Sequence, residues 1–360
     1  MLPKVLEPRR NRLIAGGVAV AFLVGGVALA LSSGGDEEAP PTTTTSTTVA
    51  STTTTAKKAP PIAPLLGVTG DFGNRLKRPA LVVKIDNVEP KARPQTGLNQ
   101  ADVVYEERVE GSVTRLLAIF HSTDSAPIGP VRSARTSDIP ILMPLGRPLF
   151  AWSGANASFA QRVRSAPLVD VGYDVASSQY YRDGGRAAPS NLMLKSSADL
   201  LAAPPESSTP PPQLFQYRKR GGTTAHLEPV AGVRITYGTS AGSAPVEYRW
   251  NGKGWARWQK GTPHVDHTGL QVAPANVVIQ FVQYASSGVA DQFGNLIPEA
   301  QTVGEGEVWV LTKGGIVVGR WHKATYGAVT TYTDADGKPI LLTPGRTWVA
   351  LPQPGGGQRL

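Results

Sequence analysis

Apolar residues fill most of Pro79–Asn87, PALVVKIDN, which predicts a buried strand followed by a turn through VEPKARPQTG. The next stretch, ADVVYEERVEGSVTRLLAIFH, alternates in two runs around Glu110-Gly111-Ser112, the pattern of a hairpin. On its first arm Val104, Glu106, Arg108 and Glu110 share one face, while Val103, Tyr105, Glu107 and Val109 share the other. SDIPILMPLG can begin a helix, with Ser137 or Asp138 as N-cap and Pro140 in the first turn; Pro144 keeps it short. PLFAWSGAN predicts a further strand and turn, and NASFAQRVRSA and NLMLKSSADLLAA predict helices. AAPPESSTPPP, residues 202–212, is a natural linker, and beyond it the pattern is mostly β. VAGVRITYG, APVEYRWNGKGWARWQKG, NVVIQFVQY, EVWVLTKGGIVVGRWHK and TWVALP read as strands or hairpins, punctuated by Asn251-Gly252, Gly314-Gly315 and Asp336-Gly337. The fold class expected is α+β: a mixed-sheet N-terminal domain with short helices (62–201), the linker, and a β-rich C-terminal domain (213–360).

Ahead of this body the pattern changes. Leu13 to Leu31 carries no charge, and at about 1.5 Å per residue it can just cross a hydrocarbon layer of about 30 Å. Lys4, Arg9, Arg10 and Arg12 precede it, and Asp36, Glu37 and Glu38 follow it. The positive-inside rule leaves residues 1–12 as a cytoplasmic tail, makes 13–31 a single-pass transmembrane anchor and exports the rest. The alternative is a cleaved signal peptide and a secreted protein, since Ala28-Leu29-Ala30 has the small-x-small form of a cleavage site. Residues 32–61, with the run PPTTTTSTTVASTTTT, have too few apolar groups to offset their ordering entropy and read as a disordered Thr/Pro linker.

Composition narrows the chemistry. Across 360 residues the formal net charge is +9, which favours anionic surroundings. Export makes nucleic acid an unexpected partner and leaves membrane surface or cell wall. No cysteine is present, which excludes disulfides, thiolate nucleophiles, thiolate zinc sites and a lipidated cysteine. S-x-x-K, H-E-x-x-H and phosphate-loop patterns are also missing, and no cofactor is expected.

Several groups could carry chemistry. In IGPVRSARTSDIP, Arg132 and Arg135 stand three apart beside Ser133 at a helix start. Unpaired N–H donors and two planar guanidinium forks there suit a carboxylate or phosphate. The competing reading pairs these arginines internally with Asp86, Glu106 or Glu110. Those same carboxylates could act as acid and base on a glycosidic bond, which would require them about 5–10 Å apart across a groove; adjacent arginines argue otherwise by holding them ionised. His264, Asp266 and His267 in PHVDH suit zinc but need a distant further ligand, and a plain turn is the simpler reading. GTSAG matches G-x-S-x-G, yet Ser240 lies between apparent strands rather than at a strand-to-helix turn. Tyr248, Trp250, Trp255 and Trp258 bracket Asn251-Gly252 either as cross-strand packing pairs or as sugar-stacking rings.

In order along the chain, RPALVVKIDNVEPKARPQTGLNQADVVYEERVEGSVTRLLAIF, IGPVRSART, YRDGGRAAPSNLM, GTPHVDHTGLQVAPANVVIQFV and GEGEVWVLTKGGIVVGRWHK resemble the YerB-like “putative lipoproteins”. The resemblance spans roughly residues 65 to 350 of this chain, and the bacterial family has N- and C-terminal domains of unknown function. It implies an extracytoplasmic, membrane-attached protein of mixed αβ body. Two departures stand out: the lipidated cysteine of many relatives is absent, and Ser190 stands where relatives often have histidine.

The reading that results is a non-catalytic binding or scaffolding protein of the cell envelope. It would present Arg93, Arg115, Arg132, Ser133, Arg135, Arg182, Arg186 and Asn191 to an anionic ligand such as a peptidoglycan carboxylate or a lipid-linked phosphate. The alternatives are a wall hydrolase or transferase using Asp86, Glu106 or Glu110, and a protein-binding partner of wall-synthesis proteins.

Overall fold

The computed structural model describes residues 60–219, 221–238, 245–290, 294 and 296–360. The anchor at 13–31, nearly all of the Thr/Pro linker and Ser240 of GTSAG lie outside the described residues. Among the described residues no helix is long and apolar enough to cross a membrane.

The first half contributes β1 (Leu81–Asp86), β2 (Val103–Arg108), β3 (Thr114–Phe120), β4 (Leu149–Ala151), β5 (Val169–Asp170), β6 (Tyr180–Arg182) and β7 (Leu192–Leu194). Its helices are α1 (Asp138–Leu142), α2 (Ala157–Arg164) and α3 (Ser197–Ala202). Among the described residues the second half is all β. It runs β8 (Glu228–Pro229), β9 (Gly232–Ile235), β10 (Val246–Trp250), β11 (Trp255–Gln259), β12 (Thr262–Pro263), β13 (Asn276–Gln280), β14 (Tyr284–Ala290), β15 (Leu296–Ala300), β16 (Gly304–Thr312), β17 (Gly315–Lys323), β18 (Thr331–Thr333), β19 (Thr347–Leu351) and β20 (Gly357–Arg359). The expected mixture of strands and short helices, followed by a strand-rich half, is what the chain adopts.

One large sheet joins the halves, in the order β18-β17-β16-β13-β19-β2-β3-β1-β4-β5, with β8 beside β17. The seam is the parallel pairing of β19 with β2, from Thr347 opposite Val103 to Leu351 opposite Glu107. At β1 and β3 both faces of this sheet are buried, which is why these strands are apolar almost throughout. Leu81, Val83, Ile85, Leu116 and Trp348 meet the smaller sheet β12-β11-β10-β9-β20 through Val233, Ile235, Tyr248 and Trp255. On the opposite face Val82, Leu117, Ile119, Val278 and Val349 pack against Ile141, Leu142, Val163 and Phe215.

The β2–β3 hairpin forms as its alternation predicts, closing through a short turn in which Gly111 takes φ 70°, a conformation glycine adopts without steric cost. NLMLKSSADLLAA divides: Leu192–Leu194 becomes β7, antiparallel to β6, and the helix begins only after Ser196, whose side chain accepts from the Asp199 N–H. The physical reason is that Leu192 and Leu194 are drawn into the apolar layer beneath the large sheet, where an extended segment satisfies its backbone against β6. Tyr248 and Trp255 are fully buried, Trp250 lies 5.2 Å from Trp255, and Trp258 lies under the Arg249 guanidinium. The aromatic group on β10 and β11 therefore packs the hairpin.

Candidate functional site

Arg115, at the start of β3, stands directly across from Asp86 at the end of β1. The segment after Pro130 runs alongside β1: Val131 bridges to Ile85, the Arg132 N–H donates to the Lys84 carbonyl at 2.9 Å, and Ser153 N–H donates to Arg132. This clamps Arg132 and Arg135 next to the β2–β3 turn that carries Glu110. Three guanidiniums and two carboxylates, far apart in the chain, therefore gather at one end of the strands.

Their commitments differ. Arg135 is spent on Glu110 through two hydrogen bonds, from Nε at 3.1 Å and from a terminal nitrogen, and its remaining arm donates to the Ala134 carbonyl. Arg132 Nε lies 3.2 Å from Asp86 Oδ2, near enough for an ion pair but not aligned as a hydrogen bond. Asp86 Oδ2 also accepts from Ser190 Oγ at 2.7 Å, and Oδ1 accepts from the Val88 N–H at 3.2 Å. Arg115 is 6% exposed, makes one long bond of 3.4 Å to the Ser133 carbonyl, and leaves its buried Nε without a partner. Burial, and then the positive fields of Arg135 and Arg132, push its pKa down to about 10. It remains charged at neutral pH. Burial opposes ionisation of Glu110, but the hydrogen bond and charge of Arg135, with Arg115 behind, hold its carboxyl below the usual range.

The other arginines singled out from the sequence lie elsewhere. Arg93 pairs with Glu89 and donates to the Pro263 carbonyl, beside an open cavity of about 360 Å³ lined by Pro90, Pro94, Thr262 and Val265. Arg186 pairs with Asp183 and reaches the Pro94 carbonyl; Arg182 donates to Asn191 Oδ1 at 2.8 Å. Ser133 enters the site through its carbonyl.

The helix start itself is not an anion cradle. Asp138 Oδ2 accepts the Arg135 N–H at 2.7 Å, and Ser137 makes no side-chain cap. Asp138 is held there by Lys84, whose ammonium is 2.5 Å from both Asp138 and Glu107 in a fully buried triad. Burial, together with the negative field of Glu107, raises Asp138 to about 7 despite the lysine.

Glu106 does not face the same opening as Asp86 and Glu110. It is fully buried, accepting from Arg257 at 2.7 Å, Thr114 Oγ1 at 2.8 Å and Trp348 Nε1 at 3.0 Å. Arg257 continues the network to Gln259 at 2.8 Å and to His264 Nδ1 at 2.5 Å. His264 Nε2 donates to Gln95 Oε1 at 2.8 Å, and Gln95 donates in turn to Asn87. Both ring nitrogens of His264 are thereby used. Asp266 accepts from Thr268 and Asn99, while the His267 N–H donates to the Gln95 carbonyl. In PHVDH, His264 and Asp266 are accordingly committed to hydrogen bonds within the protein. Among the described residues, metal-ligating atoms approach one another at His226, Asp334 and Asp336, but Asp334 Oδ1 already accepts the N–H groups of Asp336 and Lys338.

Arg257, Gln259 and Lys84 were missed as part of this polar interior, although the sequence carries a signal for them. On β11, Trp255, Arg257 and Gln259 occupy alternate positions and all are buried. A charge in phase with a core tryptophan implies a buried partner, and Lys84 inside LVVKID raises the same expectation.

Comparison with known proteins agrees with the architecture. The family profile for the DUF3048 N-terminal domain, “Protein of unknown function”, matches residues 67–208, and that for the DUF3048 C-terminal domain matches 233–349. The Bacillus subtilis (strain 168) protein named “Putative lipoprotein YerB” is 31% identical over 300 residues, covering 80% of this chain and 85% of that one. The crystal structure of the YerB protein from Bacillus subtilis superposes with a TM-score of 0.70 at 25% identity, covering 83% of this chain and 99% of the other.

Proposed function

This chain is a member of the DUF3048 family, and we propose that it is a non-catalytic binding protein of the bacterial envelope that holds an anionic group of the wall or of a lipid-linked precursor. Arg115 and Arg132 make the contact, and Arg135 completes the positive field. The observation that carries this reading is Arg115 itself. A guanidinium this deeply buried ordinarily has a carboxylate or several acceptors satisfying it, whereas Arg115 has one long bond and an unpartnered Nε. The uncharged run Leu13–Leu31 and the threonine-rich segment after it support tethering outside the cytoplasmic membrane, with release by cleavage near Ala30 as the other outcome.

The hydrolase reading gains no such support. Glu106 is sealed against Arg257, and Glu110 is held ionised by Arg135; neither is free to act as the protonated acid that glycosidic cleavage requires. Binding of the full chain to soluble wall fragments, measured at two ionic strengths, tests the proposal. Arg115→Met should abolish binding while a matched change at exposed Arg320 leaves it intact. Equal binding by both variants would defeat the assignment.

A further inference from the structure

The balance of charge at the cluster limits what it can hold. Arg115, Arg132 and Arg135 face Asp86 and Glu110, and the Lys84–Glu107–Asp138 triad packed against Arg115 and Arg135 holds one cation and two carboxyls, so the excess is at most one positive charge. Resting on the reading above, we infer that the guest is a singly charged oxyanion, a carboxylate or a phosphodiester, held across the free edges of Arg115 and Arg132, and that a doubly charged phosphate is disfavoured. A single negative charge is the most that this excess can neutralise. A second would leave a net negative charge in a poorly hydrated place, directly beside two fixed carboxylates, where like-charge repulsion is least screened.

The bonding pattern allows such a guest to enter without disturbing the anchor points. Arg135 stays with Glu110, because both of its hydrogen bonds to that carboxylate lie within the pair. Asp86 keeps Ser190 Oγ and the Val88 N–H, so its poorly aligned contact with Arg132 can be shared with an incoming oxygen. Arg132 is the most exposed of the three, at 24% of its side chain, which makes it the outer contact and Arg115 the inner one. The planar guanidinium fork can then donate to two oxygens of one group.

The test uses the full chain in mild detergent at low ionic strength, with three probes followed by calorimetry at pH 5 and pH 8. N-acetyl-D-alanine and dimethyl phosphate carry one negative charge at both values and report any change in the protein's own groups. Glycerol phosphate, with a second pKa of about 6, carries one charge at pH 5 and two at pH 8. Relative to the other probes, glycerol phosphate should weaken by roughly tenfold on going to pH 8. Equal or tighter binding of its doubly charged form would overturn the inference while leaving the anion site standing. Failure of all three probes at both pH values would overturn the proposed function as well. Tighter binding of the carboxylate than of the diester supports the inference with a peptide terminus as the source; the reverse order supports it with a phosphodiester polymer. Arg115→Met should remove binding of every probe, and Arg115→Lys should restore a fraction. Near-ultraviolet circular dichroism confirms the fold, and unchanged affinity in a folded Arg115→Met variant places the anion elsewhere and sinks the assignment.

Discussion

Glu106→Gln offers the sharpest perturbation of the polar interior, because it keeps the shape of the side chain and removes only its charge. Arg257 and Glu106 are both fully buried, with 2.7 Å between bonded atoms. At an effective dielectric of about 20, ions at such contact attract by about 4–6 kcal/mol. The substitution leaves the Arg257 guanidinium uncompensated and asks one amide to serve Arg257, Thr114 and Trp348 together. Breaking a buried pair in this way costs about 3–5 kcal/mol, a large part of the roughly 5–15 kcal/mol that holds a typical domain together. Arg257→Met should cost a similar amount by stranding the Glu106 carboxylate. The double variant carries no buried charge at this point and should lose much less than the two singles together, with a coupling of at least about 2 kcal/mol. Urea unfolding of residues 58–360, which form one compact unit, measures all four corners of the cycle. Single-variant costs below about 1 kcal/mol, or costs that simply add, would refute the view that this buried ion pair fastens the smaller sheet to the large one.

Two further outcomes are expected. His121 is fully buried, and burial followed by the positive field of Arg78 lowers its pKa from 6.5 to about 4. Between those values the unfolded chain binds more protons than the folded one, so stability falls as pH drops through the window, by about 3 kcal/mol from this group. His121→Gln should flatten the urea midpoint between pH 7 and pH 4 by that amount, and an unchanged slope would show that another group carries the effect. At Gly319 on β17 an added Cβ would lie 2.0 Å from the Thr333 carbonyl oxygen. Gly319→Ala must push β18 off the sheet edge at a cost of at least about 2 kcal/mol, visible as a lower melting temperature; an unaltered melt would mean that the edge strand yields freely.

The sequence by itself determined those features whose causes are local. Alternation across Val103–Phe120 specified the hairpin, Glu110-Gly111-Ser112 specified its turn, and Asn156 marked the start of α2, where its side chain accepts from the Ser158 N–H. Long motifs shared with the YerB-like proteins pointed to the family that the profiles and the crystal structure of YerB now bear out. Tertiary structure alone decided which charges meet. Arg115, Arg132 and Arg135 came together because β1 lies between β3 and the segment after Pro130, whereas Arg93 and Arg186 pair with nearby Glu89 and Asp183 and reach the Pro263 and Pro94 carbonyls, and Arg182 donates to Asn191. The seam of β19 on β2, and the Glu106–Arg257 pair between the large and the smaller sheet, join residues more than 150 positions apart. Pattern along a chain encodes which face of an element is buried; which distant element covers that face, and which ion it brings, depends on the packing of whole sheets.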